Sequence, residues 1–149
     1  MTTDAAARRR AFPREDTSDQ AVRVEVFHNI GLYEGIYVWT YEPHHPMTRV
    51  FAASVDATDF GDSALCERAF LLLNIGHNPL AEAGFDDEPD PRAVAYRKRG
   101  NRSLMTADVV AITRPGRAPL YYAIAFRGVT SIPMPLIVNR PGELTAPLD

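Results

Sequence analysis

A chain of 149 residues with 46% apolar and 23% charged residues has the size of one domain and enough apolar side chains for one core. Its formal net charge of -3 gives no global attraction to nucleic acid or to an acidic membrane. A single cysteine, Cys66, excludes an internal disulfide and a cysteine-rich zinc site, and it fits a reducing cytoplasm.

Lys98 is the only lysine. With abundant Ala, Asp and Pro, that bias matches the codon usage of a GC-rich bacterial genome, so arginine count carries no functional signal. The apolar runs fall far short of the roughly 18 residues of a membrane span. Arg8-Arg9-Arg10 is followed by Ala11-Phe-Pro-Arg and not by an apolar stretch, so no signal peptide is expected. The cytoplasm is the expected compartment, and no membrane contact is expected.

Residues 1–20 lack apolar periodicity and read as a disordered lead. Val22, Val24 and Val26 alternate with Arg23 and Glu25, the pattern of a half-buried strand ending near His28. Gly31 and Gly35 bracket a turn before a β-rich run, Ile36–Tyr41. Tyr37, Trp39 and Tyr41 share one face of that run, as core if it points inward and as a binding surface if outward. Pro43-His-His-Pro46 interrupts, and Arg49–Val55 resumes as a third strand.

Asp59 or Asp62 is placed to cap a helix over about Ser63–Asn74, whose Leu65, Ala69 and Leu72 or Leu73 recur at spacings of three and four. Cys66 and Phe70 widen its apolar face, and Gly76 is placed as a left-handed stop. Residues 77–90 form a Pro-, Gly- and acid-containing loop, and 93–99 fits a short helix or an extended segment equally. Val109–Ile112 reads as a buried strand, Pro115-Gly116 as a hairpin turn and Leu120–Phe126 as a fifth strand. An edge strand near Leu136–Val138 and a frayed tail over 139–149 complete the chain.

The expected fold is a single α+β domain over 21–138. An antiparallel sheet of about five strands carries one main amphipathic helix, 62–75, packed on one face. An exposed edge strand leaves a homodimer open.

Three blocks carry a family resemblance: Phe70…Asn74, then Asn101-Arg-Ser-Leu-Met-Thr-Ala-Asp-Val-Val110, then Tyr121-Tyr122…Phe126-Arg-Gly128. In order and spacing the chain resembles the YodL-like domain family of bacterial mobile genetic elements. That family joins a Phe-x-x-x-Asn helix end to a basic-Ser-Leu-Ser-Val-Gly/Ser-Asp-Val-Val block and a Tyr-Tyr hairpin strand. The resemblance spans about 22–132 and is concentrated in 70–128. Met105-Thr106-Ala107 replaces Ser-Val-Gly/Ser, which weakens the sequence argument for a special backbone shape there. The resemblance implies a small accessory protein of a plasmid, phage or integrative element, and it implies no reaction.

Asp108 reads as a structural turn residue that accepts from nearby backbone N–H groups, with Leu104 as a core plug. Arg97, Arg99 and Arg102 are the candidate residues for gripping a phosphate or a carboxylate on a partner, through guanidinium forks. Arg102 can equally pair with Asp108 or Glu67. His28, His44, His45 and His77 show no recognised metal spacing, the acidic run 86–90 lacks a calcium-loop pattern, and no phosphate-binding loop or serine nucleophile elbow is present. No metal, cofactor or catalytic residue is expected. The expected role is a non-enzymatic accessory module that binds a protein partner. Nucleic-acid binding through Arg97–Arg102 is the alternative, and a small hydrolase using His28, His44 or His45 with Asp108 the least favoured.

Overall fold

The computed structural model describes residues 11–31, 40–76 and 89–145. Its elements, in chain order, are β1 (Val22–Asn29), β2 (Pro46–Val55), α1 (Asp62–Ile75), α2 (Pro91–Lys98), β3 (Val109–Thr113), β4 (Leu120–Ile124), β5 (Val129–Ile132) and β6 (Leu136–Ile137). This is an α+β fold. The six strands form one sheet in the order β5-β4-β3-β1-β2-β6, antiparallel throughout except for the parallel pair β2–β6. None of the described helices is long and apolar enough to cross a membrane.

Alternation decides which residues face which layer. Val22, Val24 and Val26 of β1, Val110 and Ile112 of β3, and Val50 and Val55 of β2 meet Leu65, Cys66, Ala69, Leu72 and Leu73 of α1 and Ala93 and Tyr96 of α2. Both helices therefore lie on one face of the sheet. The segment 93–99, open between two conformations on sequence, is largely helix. Asp90 caps it by accepting from the Arg92 N–H at 2.9 Å, Pro91 opens its first turn, and Gly100 at φ 83 ends it.

The opposite face is also buried at its centre, by Phe27, Met47, Val109, Ala111 and Ala123, with Tyr41, Tyr121, Ile132 and Ile137 packed against them. Ile132 and Ile137, from the two edge strands, pack on this same cluster, so this face is the concave one, and chain connectivity forces the curl. A flat sheet would separate β5 from β6 by five strand spacings of about 4.8 Å each, roughly 24 Å. Only Pro133-Met-Pro135 links Ile132 to Leu136, a reach of about 14 Å at most. The sheet has to curl until its two edge strands come within that reach.

Several local expectations change. The strand expected over Leu120–Phe126 stops at Ile124, because Ala125 N–H donates to the Gly128 carbonyl and the chain turns there into β5. β5 itself was not foreseen, since Val129-Thr-Ser-Ile132 lies on a sheet edge and shows no clear apolar alternation. Gly61, not Asp59 or Asp62, is the N-cap of α1, without a side-chain hydrogen bond; Asp62 instead accepts from Arg114 and Tyr122. Gly76 is right-handed, at φ -63. It is needed for space: a Cβ there would sit 2.5 Å from the Leu72 carbonyl oxygen and 3.2 Å from the Ala93 Cβ.

Both expected tails are partly anchored. Phe12 and Pro13 are buried, Phe12 stands edge-on to Phe51, and Asp16 N–H donates to Ser54 O at 2.9 Å. At the other end, Asn139 donates to Arg49 O, and Thr145 N–H donates to the same carbonyl. Most of the expected strand Ile36–Tyr41, with Tyr37 and Trp39, and the loop 77–88 lie outside the described residues, while Tyr41 is half-buried against the concave face.

Candidate functional site

The three arginines singled out on sequence turn inward. Arg97 donates through Nη2 to the carbonyls of Leu73 (3.0 Å) and Asn74 (3.4 Å) and to the Ser103 hydroxyl. It thereby ties the C-terminus of α1, where carbonyls lack helical partners, to the loop after α2. Arg99 donates to the carbonyl of Val50. That carbonyl belongs to a β-bulge: Val26 pairs with Phe51 but Phe27 pairs with Arg49, leaving Val50 out of register. Arg102 grips Asp108 with both prongs, Nη1 to Oδ2 at 2.7 Å and Nη2 to Oδ1 at 2.9 Å.

Asp108 is fully buried, and its carboxylate also accepts from the N–H groups of Asn29 (2.9 Å) and Met105 (2.9 Å). Burial pushes its carboxyl upward, opposed by Arg102 and these two N–H donors. The turn it anchors contains Ala107 at φ 77, among the described residues the one non-glycine residue with positive φ. A left-handed backbone is therefore present here without a glycine. Asn74, near the end of α1, holds the same loop: its Oδ1 accepts from Leu104 N–H at 2.7 Å and its Nδ2 donates to Leu104 O.

His28 and His45 are equally committed. His28 is fully buried, its Nε2 within hydrogen-bond distance of the Tyr96 hydroxyl, which itself donates to Arg102 O. With the hydroxyl proton used on that carbonyl, Nε2 has to be the donor. Burial, and then Arg102 and Arg97, lower the His28 pKa to about 2, so the ring is neutral. Glu42, His44 and His45 place ligand-type atoms within 4.8 Å of one another. Protonation argues against a metal there. His45 Nδ1 accepts from the Glu42 backbone N–H (3.1 Å) and from Asn29 Nδ2 (2.9 Å), so the ring proton sits on Nε2, facing the Glu42 carboxylate at 3.6 Å. A histidine that ligates through Nε2 needs its proton on Nδ1, directed at an acceptor. Cys66 is buried in the core, and burial followed by Asp62 pushes its thiol up to about 12.

The groups left with outward capacity lie on the concave face. A cavity of about 410 Å³ opens there, walled by Phe27, Tyr121, Met134 and Ile137 and floored by the ion pair Glu25–Arg49, Nη1 to Oε2 at 2.8 Å. Phe27 and Tyr121 lie with ring centroids 6.5 Å apart. A smaller cavity, about 180 Å³, lies where Tyr41 meets Ala123, Phe126 and Ile132. Met134, in the wall of the larger one, has 69% of its surface exposed, while Leu136 and Val138, which alternate with the cavity-lining Ile137, are exposed outside it. Sequence reading missed this site because its walls come from β1, β2, β4 and the segment after β5. Only the curl of the sheet brings them together, and the proline-punctuated stretch 133–141 was its one visible trace.

Comparisons of this chain with protein-family models, with curated proteins and with solved structures return no match.

Proposed function

We propose that this chain is a non-enzymatic interaction module, an accessory protein of a bacterial mobile element acting in the cytoplasm, that binds a protein partner across its concave sheet face. The observation that carries this reading is the open cavity on the concave face, with Met134, an exposed apolar side chain on the segment that bridges the two sheet edges, in its wall. The side chains with chemical potential point the same way. Asp108, Arg102, His28 and Cys66 are spent on the fold, which leaves binding as the role that the outward-facing groups support. The mobile-element context rests on the resemblance blocks alone.

Affinity capture from a bacterial lysate tests the reading when three proteins are compared: wild type, the surface variant Met134→Asp, and Arg97→Ala. A partner retained by wild type and Arg97→Ala but lost by the surface variant supports the concave face. A partner lost only by Arg97→Ala, or released by nuclease and moderate salt, overturns it in favour of the arginine loop and nucleic acid.

A further inference from the structure

The donors and acceptors around the larger cavity are unequally available. Glu25 is the acidic side chain of its wall, and both its oxygens face arginines: Arg49 Nη1 at 2.8 Å and Arg23 Nε at 3.7 Å. Asn139 is used up on backbone, accepting from Arg49 N–H and donating to Arg49 O and Glu143 O. Among the described residues, Arg49 Nη2 and the Tyr121 hydroxyl have no partner, and Arg140 stands at the rim with only Glu143 near it, at 3.6 Å. Arg49 and Arg140 against Glu25 leave the wall one positive charge in excess. Arg49 Nη2 and the Tyr121 hydroxyl can both donate into the cavity, and the apolar part of the wall is Phe27, Met134, Ile137 and Pro141. Burial, then the nearby Glu25, raises the Tyr121 pKa, which keeps that hydroxyl protonated and able to donate.

From this complementarity we infer that the cavity accepts a carboxylate carried on an apolar body of about phenylalanine size, whose oxygens meet Tyr121 and Arg49 while its apolar part lies against Phe27, Met134 and Ile137. The inference rests on the concave face being the binding face, and it specifies the group of the partner that enters the cavity.

NMR titration of the full chain with three probes tests it: 3-phenylpropionate, its neutral amide 3-phenylpropionamide, and 2-phenylethylammonium. The acid is expected to give saturable shifts at Phe27, Tyr121 and Ile137, the amide to bind at least about fivefold more weakly, and the cation not to bind. Tyr121→Phe keeps the wall and removes one donor to a charged acceptor, so it is expected to weaken the acid about tenfold. Arg140→Gln, at an exposed rim position, is expected to weaken it by less. Equal binding of all three probes, preference for the cation, or no saturable shift with any probe overturns the inference. If the probes fail while a partner is still captured through Met134, the ligand chemistry is wrong and the concave-face reading stands. Loss of both removes both.

Discussion

Arg102 and Asp108 form a bidentate ion pair, with N–O distances of 2.7 and 2.9 Å, around a carboxylate that has no solvent exposure. Six residues apart, they close the loop between α2 and β3 and fix where β3 starts. An intact buried pair adds little net stability, but removing one partner strands the other charge in low dielectric. Arg102→Met is therefore expected to cost about 3–5 kcal/mol in urea unfolding. The double variant Arg102→Met/Asp108→Leu is expected to be less destabilised than the two single losses added together. Additive losses would mean that the pair is not coupled.

Gly76 and Ala107 reverse the usual roles of glycine and alanine. Gly76 has ordinary right-handed dihedrals but no room for a Cβ, whereas Ala107 carries its Cβ at φ 77. Gly76→Ala is expected to lose about 1–3 kcal/mol by overpacking against Leu72 and Ala93. Ala107→Gly relieves a left-handed strain of about 1–2 kcal/mol and gives up a buried methyl worth about 0.8 kcal/mol, so it is expected to stay within about 1 kcal/mol of wild type. Ala107→Val adds a β-branched side chain in that conformation and is expected to lose more than either. Thermal or urea unfolding of the three variants checks the order.

How far the residues announced this depends on whether a signal is local. The alternation of Val22, Val24 and Val26 and the spacing of Leu65, Ala69 and Leu72 are local, and they place β1 and α1. The all-apolar run Val109–Ile112 reads as a strand because both of its faces are covered, by α1 on one side and by Phe27 and Tyr121 on the other. β5 carries too little alternation to be seen, and the β2–β6 pairing is parallel and far apart in sequence. Arg97 and Arg99 look like free cations on paper. Nothing local says that one meets the orphan carbonyls of α1 and the other the bulge at Val50. Glu25 and Arg49 meet across the adjacent strands β1 and β2, but the closing of Met134 and Ile137 over them depends on curvature, which no window of sequence encodes.

Cys66 is expected to be inert in the folded protein. Its thiol is buried between α1 and the sheet and held near 12, far above neutral pH. Ellman's reagent at pH 8 is expected to react only at the rate of unfolding, with full reaction in concentrated urea. Fast stoichiometric reaction without denaturant would show that the core opens around α1.

The buried His28 gives the fold a specific acid sensitivity. Its folded pKa of about 2 lies below the value of 6.5 expected in the unfolded chain, so the unfolded state binds the extra proton throughout the interval between them. Stability from this group is complete above pH 6.5 and is lost as pH falls below it, at about 1.4 kcal/mol per pH unit. By pH 4.5 the loss amounts to roughly 2–3 kcal/mol. Carboxylates titrate in the same range, and Asp108 with its raised pKa changes the slope in the opposite sense, so the readout is a difference. His28→Leu breaks the contact with Tyr96 and lowers stability at pH 7, but its stability is expected to fall less steeply than wild type between pH 6.5 and 4.5. Urea unfolding of both proteins at half-unit pH steps measures that divergence. Parallel curves would show that His28 takes up its proton within the folded protein, and the neutral ring between β1 and Tyr96 would then be wrong.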